Sequence, residues 1–372
     1  MEYINLGDIC NIKSSKRIYQ SEYCEHGIPF YRGKEISQLH RNEELDVELF
    51  ISRERYQEIK EKYGVVNKGD LLITSVGTIG NTWISDGREF YYKDGNITQI
   101  ENNYKINTRF LSYLFRSDII KNQYLRGTSG TAQVALTINK LNKLKIPKIG
   151  LSKQNKIVNI LDKAQELIDK RKEQIEALDK LVKSKFIEMF GDPVKNPMNW
   201  EKRTLNEVSL RKGEYGSGAS AIEYIKDYPR YIRITDINDS GKLNNNKVTI
   251  ENLSEYEKYK LNDGDILFAG YLIRFIPNMD IINPDFLFAF TKTGFYQGWV
   301  DAKQNTVAQP NINAKQYGEE LEVILPPIGL QNKFADFAKQ VDEIKLKMEN
   351  SLKELEDNFN SLMQKAFKGE LF

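Results

Sequence analysis

The residues of this chain able to do chemistry are cations, hydroxyls and amides set in polar, glycine-containing segments. "KSSKR" gathers Lys13, Ser14, Ser15, Lys16 and Arg17, a set that can contact phosphate oxygens and base edges. Arg32 and Lys34 follow a strand entry at Pro29. "SVGTIGN" carries Ser75, Gly77, Thr78 and Gly80, and its glycines let backbone amides approach a phosphate closely. "RGTSGTAQ" repeats that combination with Arg126, Thr128, Ser129 and Gln133, inside a stretch, residues 101–150, that holds nine basic and two acidic side chains. In the second half Arg211, Lys212, Arg230, Arg233, Lys303, Gln304, Gln309 and Asn311 stand at corresponding places. Taken singly, each such segment also reads as an ordinary surface turn, where Gly, Ser and Thr serve the backbone.

Other chemistries are weaker. Pro284, Asp285, Asp301 and Lys303 follow the loose order of a metal-dependent nuclease core, in which carboxylates hold Mg²⁺ and the lysine assists water. The first half has Thr108 and Arg109 where Pro284 and Asp285 stand, however, and Asn283 with Pro284 reads as a helix start. Cys10, Cys24, His26 and His40 are too few for a disulfide framework and make a poor metal site, so two reduced thiols in or near a core are expected. No "NPPY" segment or glycine-rich cofactor fingerprint occurs.

The elements that must position these side chains follow from an internal repeat. "LGDI" at 6–9 answers "LNEV" at 205–208, and "IPFYRGKEI" at 28–36 answers "YPRYIRITDI" at 228–237, which aligns Arg32 with Arg233 and Glu35 with Asp236. "GDLLITSVGTIGNTWI" at 69–84 has a shorter twin in "GDILFAGYLIRFI" at 264–276, and "IPKIGLSKQNKI" at 146–157 answers "LPPIGLQNKF" at 325–334. The chain is a tandem duplication. Offsets between partners fall from 195 to 176 across roughly Thr74 to Tyr92, so the second copy lacks about 19 residues, the glycine loop and the strand after it.

Each copy begins with short alternating apolar runs and a few short helices, a β-rich α+β domain, and ends in one long helix. Ile157, Leu161, Ala164, Ile168, Arg171, Ile175, Leu178 and Val182 alternate spacings of four and three, the heptad seam of a coiled coil. Val341, Met348, Leu352, Leu355, Phe359 and Leu362 keep that register, with Lys345 a misfit. Gly191, Pro193, Asn196 and Pro197 stop the first helix. Two apolar stripes bury best against one another, and the order domain, helix, domain, helix favours an antiparallel pair with pseudo-two-fold symmetry. Thirty helical residues span about 45 Å, more than one duplex turn of about 34 Å, so double-stranded DNA with two sites suits the plan.

Composition sets the remaining limits. With 372 residues, 40% apolar, the chain can build several packed domains. No apolar run reaches the roughly 18 residues of a membrane span, and "MEYINLGDIC" has neither the basic start nor the apolar stretch of a secretory signal, so a cytoplasmic setting is expected. The net charge of +2 leaves positive charge local: residues 1–150 hold 22 basic against 18 acidic side chains, and 193–328 hold 16 against 18.

"LVKSKFIEMFGDPVKNPMNWE" at 181–201, "GDLLITSVGTIGNTW" at 69–83, "AQPNINAKQYGEELEVILPPIGLQNKFADF" at 308–337 and the closing "LMQKAFKGELF" resemble the DNA specificity subunit of type I restriction-modification enzymes. The resemblance spans essentially the whole chain and keeps the order of parts. It implies target recognition domains at 1–150 and 193–328, the second shortened, each followed by a conserved spacer helix, 151–192 and 329–372. It further implies that each domain reads one half of a bipartite DNA sequence and that the helix length fixes the gap. The subunit would catalyse nothing; two modification subunits binding S-adenosylmethionine would dock on the helices, and restriction subunits would join them. Two alternatives stay open: a crippled second reader, and an adaptor that docks partners without DNA specificity.

Overall fold

A computed structural model describes the chain except residues 1, 104, 126–134, 239–240, 251–253, 255, 269–271, 305–310 and 372, and the side chain of Gln304. The chain divides into two compact units, Met1–Arg171 with Ser351–Phe372, and Lys172–Asn350. Both are α+β. Among the described residues no helix is long and apolar enough to cross a membrane.

In the first unit strand Tyr3–Asn5 pairs antiparallel with Lys145–Pro147, which brings the two ends of the globular part together where the first long helix, Leu151–Phe190, starts. An antiparallel sheet follows in the order Ile12–Lys13, Ile97–Ile100, Leu71–Thr74, Thr82–Ile84. Its centre is buried on both faces. Side chains alternate between them, Leu71 and Ile73 entering one core and Leu72 another. The second sheet, Tyr23–Cys24, Phe50–Ile51, Ile28–Tyr31 and Tyr91–Tyr92, closes with a parallel pair. Helix Thr108–Arg116 then presents Phe110, Leu111, Leu114 and Phe115 to the core that holds Ile157, Leu161 and Ile168 of the first long helix and Phe359, Met363 and Phe367 of the second, Ile328–Lys368.

The second unit repeats this plan with fewer strands. Glu201–Thr204 pairs antiparallel with Glu322–Leu325, as Tyr3–Asn5 does with Lys145–Pro147. The amide of Leu205 donates to Leu321, as that of Leu6 does to Leu144. In each Gly-Asp turn the glycine has positive φ, +91° at Gly69 and +88° at Gly264, and the buried aspartate accepts a backbone amide three residues back, from Asn67 and Asn262. Asp70 also accepts Gln99 Nε2 at 2.6 Å, while Asp265 lies 2.7 Å from the guanidinium of Arg274.

Past the turn the copies part. Leu71–Thr74 is flanked by two strands, whereas among the described residues Ile266–Phe268 pairs only with Ile273–Phe275, beside which single bridges join Ser209 to Pro277 and Glu214 to Arg274. A three-stranded sheet, Ala221–Glu223, Val248–Ile250 and Arg230–Tyr231, stands where the first unit has four strands. The missing residues thus correspond to both Thr82–Ile84 and Tyr91–Tyr92, one strand more than the alignment suggests.

The long helices pair antiparallel within the second unit. Phe334 packs at 5.5 Å from both Phe186 and Phe190, and farther along Lys345 meets Asp179. Lys345 is no misfit in that seam: it is 7% exposed and its Nζ lies 2.5 Å from Asp179 Oδ1. The first long helix ends at Phe190 because Gly191 turns at φ +76° with the Pro197 ring against it, where a Cβ would sit 2.6 Å from the ring. The two cysteines are free, Cys10 buried and Cys24 half-buried, and burial pushes the Cys10 thiol up to about 11.

Candidate nucleic-acid interface

Chain order alone separates Arg17 from Arg32, but the first unit brings both to one groove of about 600 Å³. The segment 14–17 is held there by its own backbone and hydroxyls. Ser15 Oγ donates to Tyr92 O at 2.7 Å, the Lys16 amide donates to the Tyr91 hydroxyl at 2.7 Å, and the Gly95 amide donates to Ser14 Oγ at 3.4 Å. The serines therefore position the loop. Lys16 and Arg17 point outward, Lys16 with its Nζ 4.6 Å above the Tyr63 ring and Arg17 with Nε 2.9 Å from Asp94, which raises its already high pKa.

Most cations of the set already have carboxylate partners, and burial of the partner decides which can turn to DNA. Arg17 is 67% exposed, and an exposed pair is weak enough for a phosphate to replace Asp94. Lys13 pairs with Glu101, just past the neighbouring strand Ile97–Ile100, and Lys34 with Asp46 and Glu48. Arg32 is held differently. Its amide and guanidinium both bind Glu35, 0% exposed, at the start of helix Gly33–His40, with a further bond to Glu48 at 2.9 Å. Lys34 and Arg32 together hold the Glu48 carboxyl below the usual range. Arg32 is thus part of the groove's frame. Arg233 repeats this construction with Asp236, 1% exposed, at 2.9 Å.

The groove also holds residues that the sequence reading does not single out, among them Tyr19, Gln20, Lys93 and Asn96. Tyr19 is 63% exposed, and the side chains of Gln20, Lys93 and Asn96 have no hydrogen-bond or ionic partner among the described residues. Their signal was present as "YQ" next to "KSSKR" and as the turn "KDGN". Only the fold joins the two.

The glycine loop divides between structure and contact. Ser75 is 4% exposed, with its hydroxyl 2.7 Å from Thr98 Oγ1 and its carbonyl accepting the Leu136 amide, so it packs the loop base and cannot reach a duplex. Thr78 shares its hydroxyl with Ser37 at 2.9 Å, and Gly80 donates back to Thr74. Gly77, at φ +79° with open space where a Cβ would stand, forms the exposed tip, and among the described residues its amide and that of Thr78 have no acceptor. Arg126, Thr128, Ser129, Gln133 and Gln309 lie outside the described residues, as does the side chain of Gln304.

In the second unit Arg211 pairs with Glu214 at 3.1 Å, Arg230 donates to the carbonyls of Asn244 and Asn246, and Lys303 pairs with Glu320. Lys212 is exposed and Asn311 half-buried. A groove of about 300 Å³ there is lined by Arg230 with Tyr215, Tyr231, Tyr256 and Tyr259; the other candidates do not line it. The nuclease pattern dissolves: Asp285 faces Lys339 at 3.2 Å and Asp301 accepts Gln297. Among the described residues no three His, Cys, Asp or Glu gather as metal ligands.

Residues 1–178 match the family model described as the type I restriction modification DNA specificity domain. Residues 1–178 are thus similar to the type I restriction-modification DNA specificity family. A Haemophilus influenzae protein named for a type I restriction enzyme specificity subunit is 36% identical over 170 residues, 44% of this chain and 40% of its own length. The specificity subunit of the type I restriction enzyme EcoBI of Escherichia coli is 24% identical over 296 residues, 66% of this chain and 62% of its own. The chain thus spans less than two thirds of the length of either relative. The fold is similar throughout to a solved type I restriction-modification S subunit of M. genitalium, with TM-score 0.54, 16% identity and coverage of 98% and 96% of the two chains. A second fold likeness is to a chain from a structure of complex assembly and conformational transition of the type I restriction-modification system, with TM-score 0.57, 17% identity and coverage of 100% and 98%.

Proposed function

We propose that this chain is a sequence-specific double-stranded DNA-binding subunit of a type I restriction-modification complex, reading a bipartite target with one part per unit. The observation that carries this reading is the recurrence, in the second unit, of the architecture that in the first matches the DNA specificity domain: the same terminal strand pair, Gly-Asp turn and capped helix. In this reading the chain is not catalytic. Methyl transfer belongs to two modification subunits holding S-adenosylmethionine, cleavage to restriction subunits, and the long helices dock these partners and set the gap between half-sites. Arg17, Lys16, Lys93 and the amides at the Gly77 tip meet phosphates, while Tyr19, Gln20 and Asn96 face base edges.

A weaker second reader is favoured by a specific observation. Among the described residues the second unit has no counterpart of strands Thr82–Ile84 and Tyr91–Tyr92, its sequence lacks the glycine loop, its segment 193–328 is slightly acidic, and Arg211 and Arg233 have carboxylate partners. A chain of this kind docks partners but discriminates little at one half-site. Binding of the assembled complex to duplexes carrying one or both half-sites tests the choice. Steep salt dependence with both half-sites contributing supports two readers; a second half-site whose scrambling changes nothing supports one. Restoring a 19-residue loop after Phe268 should then strengthen binding at that half-site, and an unchanged affinity counts against the truncated-reader account.

A further inference from the structure

Each unit joins its globular part to a long helix through the same three contacts, and the third has its charges exchanged. In the first unit the amide of Asn107, which caps helix Thr108–Arg116, donates to Gln154 Oε1 at 2.8 Å. Gln154 Nε2 donates to the Ile149 carbonyl at 2.6 Å, and Asn107 Nδ2 donates to Asn155 Oδ1 at 2.8 Å. In the second unit Asn283 donates to Gln331 Oε1 at 2.9 Å, Gln331 Nε2 to the Pro326 carbonyl at 2.7 Å, and Asn283 Nδ2 to Asn332 Oδ1 at 2.9 Å. Backbone partners on both sides leave each glutamine only one amide orientation. Gln154 is 4% exposed and Gln331 0%, so neither bond is shared with solvent.

The third contact is Arg109 to Asp162, 2.6 Å, in the first unit and Asp285 to Lys339, 3.2 Å, in the second. The cation sits on the short helix in one copy and on the long helix in the other. All four side chains are more than a third exposed, so neither pair does much for stability. What the exchange supplies is selectivity, because either short helix set on the other copy's long helix would face a like charge.

We infer that this joint is a positioning device: Gln154, Asn155 and Asp162, and their counterparts Gln331, Asn332 and Lys339, fix how each recognition fold is carried on its own helix, and so fix the gap at which half-sites are methylated. The inference rests on the bipartite reading. Its test is methylation mapping in cells that hold the partner subunits, with wild type, Arg109→Asp, Arg109→Asp with Asp162→Arg, Asn155→Leu and Asn155→Asp. Wild type should methylate one two-part sequence at one gap. Arg109→Asp, which opposes two carboxylates, and Asn155→Leu should spread methylation to a neighbouring gap or cut its extent at the wild-type gap about fivefold, the scale of one lost hydrogen bond. The double reversal and Asn155→Asp, which keeps the acceptor, should recover the wild-type pattern. These sites are exposed enough that the variants fold, which thermal melting checks. Wild-type gap and extent in both Arg109→Asp and Asn155→Leu, or failure of the double reversal to recover what the single loses, overturns the inference. A wild-type complex that methylates no two-part sequence overturns the bipartite reading first, and the positioning role with it.

Discussion

Arg17 and Ser75 show how one set of polar residues separates once burial is known. Arg17→Ala should lower duplex affinity alike for all sequences and reduce the salt slope by about one, measured as log affinity against log salt. Ser75→Ala should leave that slope unchanged and instead cost about 1 kcal/mol of stability in urea unfolding, because Thr98 loses its buried partner. His40 adds a pH dependence. Burial lowers its pKa from 6.5, against the opposing hydrogen bond with the Thr82 carbonyl and with the help of the nearby cations Arg116, Arg41 and Lys121. As pH falls through 6.5 the unfolded chain takes up a proton that folded His40 resists, so its contribution is present above that pH and lost below it. The melting temperature of His40→Gln should fall less than that of wild type between pH 7 and 5; equal falls would exclude the effect. Residue types announced the cationic segment 13–17, but type and spacing could not tell the contact role of Arg17 from the framing role of Arg32. That difference lies in Glu35, whose burial depends on the whole sheet.

At the scale of elements the sequence was most informative where periodicity is long. The heptad seams, the stop at Gly191 and the repeat of "GLSKQNK" and "GLQNK" all correspond to helices and caps in the fold. Two-residue strands such as Tyr91–Tyr92 carry no period of their own, and the alignment therefore saw one lost strand where the sheets differ by more. Lys345 looked wrong for a seam because its partner, Asp179, is 166 residues away. Asp179→Ala leaves a cation only 9% exposed at its side chain without a counter-ion and should cost about 2 kcal/mol, discounted because Asp179 itself is half exposed. Adding Lys345→Leu to that variant should restore or exceed wild-type stability, as apolar replacement of a buried pair does. A denaturation midpoint for the double variant no higher than that of Asp179→Ala would contradict the seam assignment.

For the whole molecule the duplication is the organising fact. One polypeptide builds the same joint and the same Gly-Asp turn twice, then keeps the glycine loop and its neighbouring strands in only one copy. On the proposed reading the first unit is the stronger reader and the second the weaker, with helix length as the ruler between half-sites. Inserting one heptad into each helix, about 10.5 Å, should lengthen the methylated gap by roughly three base pairs. The most direct measurement is single-base methylation mapping of DNA from cells holding this chain with its modification partner. The account predicts one two-part sequence separated by a fixed gap, with the part assigned to the first unit more stringent than the other. Methylation at a single continuous sequence, or none that depends on this chain, would contradict it.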